Sequence, residues 1–423
     1  MVLRESLFSN IDIIDIRKNK LKEDPSLMGE YGCWGSFDGA KRSDIFHLLD
    51  LCRFGHINLL FYPPSMFGIL KKIQARLNLV YPTPKGYLAF MTSGSTGKLK
   101  IVVHEMSSLM HSARKIQEKY PAIIGGTSYA AFPNNYMAGV LNNLFVPLVS
   151  SGKIIFDDTF DFSTAHRIPK IFNDHSVTWS WMSPTMISAV TNVSQKSGIL
   201  EFTELILSAT APLSSSLRTR SMQHLGTRVL NTYGLTELLF VSGEDKPDNE
   251  VSIGTPFQGV DVEIIDEVIA VTSDTKFSGI LEIDLFGNKV TVKNGNLDPE
   301  IFRTNDLGRQ SHNGITLEGR SDDIVKVNGF MVSLSLIEKV CNSLPNIVDS
   351  CARVNYSLDH TFIELFVELN DAKNFSAKSL KDFLFRNLPD GHKPNHVYPA
   401  KLPRLYSGKI DRQALRKQGR VTD

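Results

Sequence analysis

The sequence predicts an α/β fold: a large N-terminal domain of covered, mainly parallel sheets with a small β-rich unit, then a small α+β C-terminal domain. Three observations carry that prediction. Between residues 105 and 235, helical and strand-like segments alternate, a pattern that favours parallel strands covered by helices. Between residues 251 and 320 the pattern changes to short β runs separated by polar turns. At residues 319–330, GRSDDIVKVNGF places a charge cluster between glycines, and a segment with its own apolar pattern follows. A chain of 423 residues exceeds what one core organises, so two or three domains are expected. The boundaries fall at 1–319, with the β-rich subregion at about 251–319, then 320–323 as a junction and 324–423 as the terminal domain.

The first eighty residues are weakly patterned and contain no motif that suggests chemistry. From Tyr87, YLAFM is a short apolar run, and LKIVVHE is a second run rich in β-branched residues. The glycine- and hydroxyl-rich stretch between them, TSGSTGKLK at 92–100, therefore joins two strands rather than a strand and a helix. SLMHSARKIQEKY spaces Leu109, Met110, Ala113 and Ile116 as an amphipathic helix. GKIIF, VTWSWM, ELILSA and TRVLNTYG are strand candidates, and VEIID, VIAVTS and GILEIDLF form the β-rich unit. In the terminal domain, Ser335-Leu-Ile-Glu338 reads as a capping box opening a helix. The strands IVDSCARVNY and TFIELFVEL come next, then a helix with Leu380, Phe383, Leu384 and Leu388 on one face.

Composition excludes several classes. With 46 Lys+Arg against 45 Asp+Glu, no global basic field points to nucleic acid. No apolar stretch approaches the ~20 residues of a membrane span. Arg4, Glu5, Asp12 and Asp15 interrupt the region where a signal peptide needs an apolar core. Cys33, Cys52, Cys341 and Cys351 show neither metal-ligand spacing nor a disulfide framework. A reduced, cytoplasmic setting with buried, inert thiols is expected.

Four segments carry residue types suited to nucleotide chemistry. TSGSTGKLK is not a P-loop of the GxxxxGK[ST] kind, since Thr92 stands where that loop has glycine and Leu99 follows Lys98. Gly94 and Gly97 nevertheless let backbone N–H groups turn toward an anion, Ser93, Ser95 and Thr96 add hydroxyls, and Lys100 adds a charge. Alone, it reads equally as a surface loop. NTYGLTE at 231–237 combines an aromatic face (Tyr233), a glycine for close approach (Gly234), a hydroxyl (Thr236) and a carboxylate able to bind Mg²⁺ (Glu237). Its alternative is a strand-end turn with a solvated glutamate. Asp306, at the end of a strand-like run, is either a turn former or a ribose carboxylate. Arg320, fourteen residues on, is either a nucleotide contact or a surface arginine. Lys409 lies in the Ser-Gly-Lys turn of LPRLYSGKIDRQAL, residues 402–415.

In order, TSGSTGKLK, APLSSSL, NTYGLTE, TNDLG with GRSDDIVKVNGF, and SGKIDR resemble the adenylate-forming superfamily. That superfamily comprises acyl- and aryl-CoA synthetases, peptide synthetase adenylation domains and luciferases. The resemblance runs from about Tyr87 to the C-terminus, about four-fifths of the chain. It implies that Thr92, Ser93, Gly94, Ser95, Thr96, Gly97 and Lys100 hold the β- and γ-phosphates of ATP. Ala209 and Thr210 line the adenine pocket, while Tyr233 and Gly234 meet the base. Thr236 touches the α-phosphate, Glu237 ligates Mg²⁺, and Asp306 with Arg320 receives the ribose. Lys409 joins the substrate carboxylate to the α-phosphate. Asp322 is the hinge of a mobile terminal domain.

The implied activity is ATP-dependent conversion of a carboxylic acid to an acyl-adenylate with release of pyrophosphate, then transfer to a thiol, most simply that of CoA. The alternatives are loading of a carrier protein's phosphopantetheine, and a degenerate nucleotide-binding protein without catalysis. Tyr136 and Trp181 fall where the family lines its acyl pocket, with core packing as the equal alternative. No aspartate stands near Tyr136 to receive an α-ammonium group, which argues against an α-amino acid. The chain departs from the family pattern at Leu99, Asn305, Met331 and Leu334. It also has only 91 residues before the phosphate loop. A trimmed N-terminal subdomain is expected, leaving the acyl pocket open or completed by another subunit.

Overall fold

The protein is described by a computed structural model covering residues 12–15, 34–37, 44–93, 99–157, 160, 162–197, 199–248, 251–283, 290–294, 301–312, 314–327, 330–356, 361–370, 375–389, 391–405 and 409–417. At its centre is an eight-stranded sheet. Its spatial order is Asp12–Asp15, Lys153–Phe156, Thr127–Tyr129, Trp179–Met182, Leu205–Ser208, Arg228–Leu235, Leu239–Gly243 and Thr255–Pro256. The first six strands are parallel neighbours, and the last two are antiparallel. Trp179–Met182 and Leu205–Ser208 are buried at every position, as strands covered on both faces must be. Among the helices between these strands, Ser215–Leu225 shows clear stop and start signals. Ser214 Oγ accepts from the Leu217 N–H at 3.2 Å, and Gly226 ends the helix at φ 70°, a backbone that favours glycine.

A six-stranded sheet runs Val290–Asn294, Gly279–Ile283, Leu99–Glu105, Tyr87–Ser93, Asn58–Phe61 and Trp34–Phe37. Tyr87–Ser93 and Leu99–Glu105 pair antiparallel from Tyr87↔Glu105 to Ser93↔Leu99, so the glycine-rich stretch does connect two strands. Residues 94–98 and the Ser93 side chain lie outside the described residues. The early chain, read as weakly patterned, supplies the helices Asp44–Arg53 and Leu70–Val80 and the buried strand Asn58–Phe61. The β runs expected to form one unit divide between two sheets. Gly279–Ile283 pairs with Leu99–Glu105, because its apolar residues Ile280, Leu281 and Ile283 complete the cores beneath that strand. A separate four-stranded antiparallel sheet consists of Val260–Ile265, Val268–Ser273, Phe302–Ser311 and Gly314–Arg320.

Beyond Arg320, a single 3-10 turn, Ser321–Asp323, leads into the hairpin Ile324–Val327 and Phe330–Ser333. Ile347–Tyr356, Thr361–Leu369 and His396–Pro399 form a three-stranded sheet. Helices Leu334–Asn342 and Ala377–Asn387 close an apolar cluster drawn entirely from residues 325–397, including Val332, Ile337, Leu365 and Leu384. The first of these helices starts earlier than the capping-box pattern suggested. Ser333, not Ser335, is the N-cap, its Oγ accepting from the Leu336 N–H at 3.2 Å. Glu338 is instead occupied by Arg412 and the Ala352 N–H. Cys52, Cys341 and Cys351 are buried free thiols, each pushed up to about 12 by burial. No helix among the described residues is long and apolar enough to cross a membrane.

Candidate active site

In a parallel sheet the carboxyl ends of the strands share one edge, where ligands are commonly bound. Here that edge holds Ala130–Tyr136, Ser183, Ala209–Thr210 and Thr236–Glu237, which follow four neighbouring strands. Thr210 has φ 75°, and its Oγ1 is buried without a partner. A β-branched residue in that region is strained, and such strain concentrates at functional sites. Ser208 Oγ, two residues earlier at the end of the strand, is likewise buried and unpartnered.

The turn carrying Thr236 and Glu237 is held tightly. The register of Arg228–Leu235 against Leu239–Gly243 shifts between Tyr233 and Gly234, and Leu239 adopts φ 62°. A Cβ on Gly234 would lie 2.4 Å from the Leu239 carbonyl oxygen, so only glycine permits the bulge. The strand Leu99–Glu105 clamps the turn through two residues four apart, which share a face of a strand. Lys100 pairs with the Glu237 carboxylate, and His104 Nε2 lies 2.6 Å from the Thr236 carbonyl oxygen. His104 is fully buried, and burial pushes its pKa down to about 4 against the opposing pull of the Thr236 carbonyl and the Glu237 charge. The imidazole is therefore neutral at pH 7 and donates to Thr236 through Nε2, leaving Nδ1 without a partner.

Lys100, which the resemblance assigns to the phosphates, has its ammonium on the Glu237 carboxylate in this structure. His104 was missed by sequence reasoning. The signal available was its even spacing from Lys100 along one strand.

A second cluster forms across the antiparallel pair Phe302–Ser311 and Gly314–Arg320. Asp306 lies inside the strand, not at its end as expected, and faces Arg320 directly in the register. Its Oδ1 accepts from Arg320 Nη1 at 3.0 Å, and its Oδ2 accepts from the Tyr233 hydroxyl at 2.5 Å. Burial first, then the Asp306 charge, raises the Tyr233 pKa well above the tyrosine value. The Tyr233 hydroxyl is thus held as a donor.

Lys409 is close enough to feel both Asp306 and Arg320. Lys409 is an exposed residue. Desolvation, then the Arg320 charge, pulls its pKa below the ordinary lysine value, and Asp306 pulls it back up. The backbone of Lys409 is held by the Leu405 N–H, which donates to its carbonyl at 2.7 Å, and by a bridge between Arg404 and Ile410. Arg404 ties one side to Asp349 and Glu368, and Arg412 ties the other to Glu338. The structure thus brings together Thr236, Glu237, Lys100, Tyr233, Asp306, Arg320 and Lys409.

Tyr136 packs edge-on against Phe132, and Trp181, almost fully buried, stacks on Phe240 at 5.2 Å. Asp322 lies in the 3-10 turn after Arg320; its side chain is outside the described residues. A cavity of about 840 Å³ opens elsewhere, lined by Thr178, Glu204 and Arg228 at the amino ends of the strands. It is lined by none of the candidate site residues.

Residues 81–273 match the family described as AMP-binding enzyme. The chain is 23% identical over 364 residues to gramicidin S synthase 2 of Aneurinibacillus migulanus, a match covering 81% of this chain and 8% of that protein. It is 26% identical over 351 residues to anthranilate–CoA ligase of Pseudomonas aeruginosa, covering 77% of this chain and 65% of the ligase. These matches span less than two thirds of either relative's length. Among solved structures, ATP-bound MatB from Rhodopseudomonas palustris superposes with a TM-score of 0.72 at 18% identity, over 92% of this chain and 89% of MatB. The anthranilate CoA ligase AuaEII in complex with anthranoyl-AMP gives 0.67 at 17%, over 85% and 77%. The fold is the α/β fold of these solved structures, and residues 81–273 carry the AMP-binding match. The chain is thus similar to the adenylate-forming superfamily, with the AMP-binding match in residues 81–273.

Proposed function

We propose that the chain converts a carboxylic acid and ATP to an acyl-adenylate and pyrophosphate, then transfers the acyl group to the thiol of CoA. The observation that carries this reading is the convergence of Lys409 with the Asp306–Tyr233–Arg320 cluster beside the Thr236–Glu237 turn. Asp306, with one oxygen on Tyr233 and one on Arg320, is an oriented carboxylate suited to the two ribose hydroxyls. Ala209 and Thr210 border the adenine, with Tyr233 and Gly234 beside it. The Thr236 hydroxyl donates to the α-phosphate. Residues 92–97 of the hairpin loop wrap the β- and γ-phosphates.

The carboxylate must approach an anionic phosphate, so positive charge has to be in place beforehand. Lys409 supplies it between the two reacting groups and Lys100 supplies it at the turn. Mg²⁺ is a cation usually held by one or two carboxylates together with substrate phosphates. Glu237 would hold it, and the ion would offset triphosphate charge when bound. Rotation of the terminal domain about Asp322 would then withdraw Lys409 and admit the thiol.

The match to gramicidin S synthase 2 favours a second reading, in which the acceptor is a carrier-protein phosphopantetheine. Pyrophosphate release from ATP over a panel of carboxylic acids tests the first half-reaction. Adding CoA or a phosphopantetheinylated carrier to the responding acid identifies the acceptor. Release that depends on no acid contradicts the proposal.

A further inference from the structure

The edge that holds Thr210 and Thr236 continues, two strands further on, into the segment Ala130–Val146. Neighbouring strands lie ~4.8 Å apart, so this segment is ~10 Å along the edge from Thr210, the length of a small substituted acid. The segment contains no charged residue, yet it buries four asparagines, Asn134, Asn135, Asn142 and Asn143. Burying an amide is unfavourable unless its donors and acceptors are met.

The hydrogen bonds here fix which atoms are left over. Asn143 Nδ2 donates to the Phe132 carbonyl at 2.7 Å and to Asn134 Oδ1 at 2.8 Å, so neither amide can be flipped without losing a bond. What remains is an unpartnered donor, Asn134 Nδ2, and an unpartnered acceptor, Asn143 Oδ1, on two bonded side chains. The backbone around them is irregular. Leu141–Phe145 forms a π-helical turn, of a kind common at functional sites, and Gly139 crosses against the Pro133 carbonyl, where a Cβ would lie 1.7 Å away.

Tyr136 adds a third observation. A tyrosine near a surface normally keeps its hydroxyl in water. The Tyr136 residue is only half-buried, but its hydroxyl is fully buried and has no partner. Its ring packs on Phe132, whose carbonyl Asn143 holds. Trp181, on the intervening strand, also buries an unpartnered Nε1.

Building on the adenylation proposed above, we infer that Asn134, Tyr136 and Asn143 bind an uncharged hydrogen-bonding substituent of the acid: a hydroxyl, carbonyl or carboxamide group a few carbons from its carboxylate. A purely alkyl acid would leave the donor and acceptor unmet. A second carboxylate or an ammonium would enter a segment with no countercharge. Sites built to hydrogen-bond a substrate group reject the analogue lacking it by ~10⁴–10⁵, so discrimination of at least ~10² is expected.

The test is acid-dependent ATP–pyrophosphate exchange with matched pairs: 3-hydroxybutyrate against butyrate, 4-hydroxybenzoate against benzoate, and succinamate against pentanoate. The expected result is a kcat/KM at least ~10²-fold higher for the polar member of one or more pairs. In Tyr136→Phe that preference should narrow, with thermal stability equal to or above wild type because an unpartnered buried hydroxyl is removed. Exchange with alkyl acids as good as with their polar partners would overturn the inference while leaving the adenylation reading intact. So would a Tyr136→Phe protein that keeps the full preference, or one that melts several degrees lower, which would show that the hydroxyl is structural. Exchange with none of these acids, nor with any other carboxylic acid, would remove the adenylation reading and this inference with it.

Discussion

His104 sits where a charged imidazole is disfavoured, and this makes a pH prediction. Its folded pKa, about 4, lies below the ordinary 6.5. The unfolded chain therefore binds the proton first as pH falls. Its contribution to stability is complete above pH 6.5 and is lost as pH drops toward 4, by up to about 3 kcal/mol. Urea unfolding of wild type and His104→Gln between pH 4 and 7 should show that part of the slope vanish in the variant. Glutamine can still donate to the Thr236 carbonyl, so acid-dependent pyrophosphate release should survive better in His104→Gln than in His104→Leu. Equal loss in both would mean that the bond to Thr236 does not position the turn. Asp306 allows a similar argument for the nucleotide. Asp306→Asn should raise the Kd for ATP by ~10–100-fold and leave acid binding nearly unchanged, since bonds to a charged acceptor contribute about 1.5–3 kcal/mol. Wild-type protein that binds 2′,3′-dideoxy-ATP as tightly as ATP, by calorimetry, would contradict it.

Elements explain why some of this was legible in the sequence and some was not. Short, fully apolar runs such as ELILSA and VTWSWM announced buried strands, and the glycine-rich stretch announced a turn between two of them. The partner of a strand is another matter. Gly279–Ile283 read as part of a local β unit, yet it pairs with a strand nearly two hundred residues earlier, and no local pattern records such a pairing. Asn58–Phe61 is four buried residues without alternation, too short to separate from a loop. At the site, Thr236, Glu237 and Asp306 stood out only through the ordered motifs that contain them, since each alone also reads as a turn residue, whereas His104 resembled a core histidine. The anchoring of Lys409 was equally invisible, because Arg412 and Glu338 are 74 positions apart. Arg412→Ala leaves the largely buried Glu338 without its cation, and breaking such a pair costs about 3–5 kcal/mol. Chemical unfolding should show that loss, together with slower adenylation from a loosened Lys409 backbone. Unchanged stability would place the anchor elsewhere.

Over the whole molecule, exposed polar contacts join the terminal unit to the rest. Asn192 Nδ2 donates to Asn370 Oδ1 at 2.7 Å, Arg220 donates to the Pro345 carbonyl at 2.6 Å, and Lys339 Nζ donates to the Leu317 carbonyl at 3.0 Å. Exposed polar contacts of this kind suit a unit that rotates. The proposed hinge also indicates how it could be locked. Ser321 opens the 3-10 turn and follows Arg320 at φ −126°, ψ 141°, an extended residue that a following proline accepts. Ser321→Pro should therefore stabilise the present arrangement, in which Lys409 lies within reach of the Asp306 charge. Adenylation should persist and transfer to the thiol should fall by ~10-fold or more, measured with single-turnover assays of each half-reaction. Wild-type rates in both would mean that the unit does not turn at this junction. Lys409 is where the three scales meet, and acid-dependent ATP–pyrophosphate exchange by wild type and Lys409→Ala tests it most directly. The account predicts exchange in wild type and a fall of ~10²–10³ in the variant, the scale for losing one preorganised donor; exchange at the wild-type rate in Lys409→Ala would contradict it.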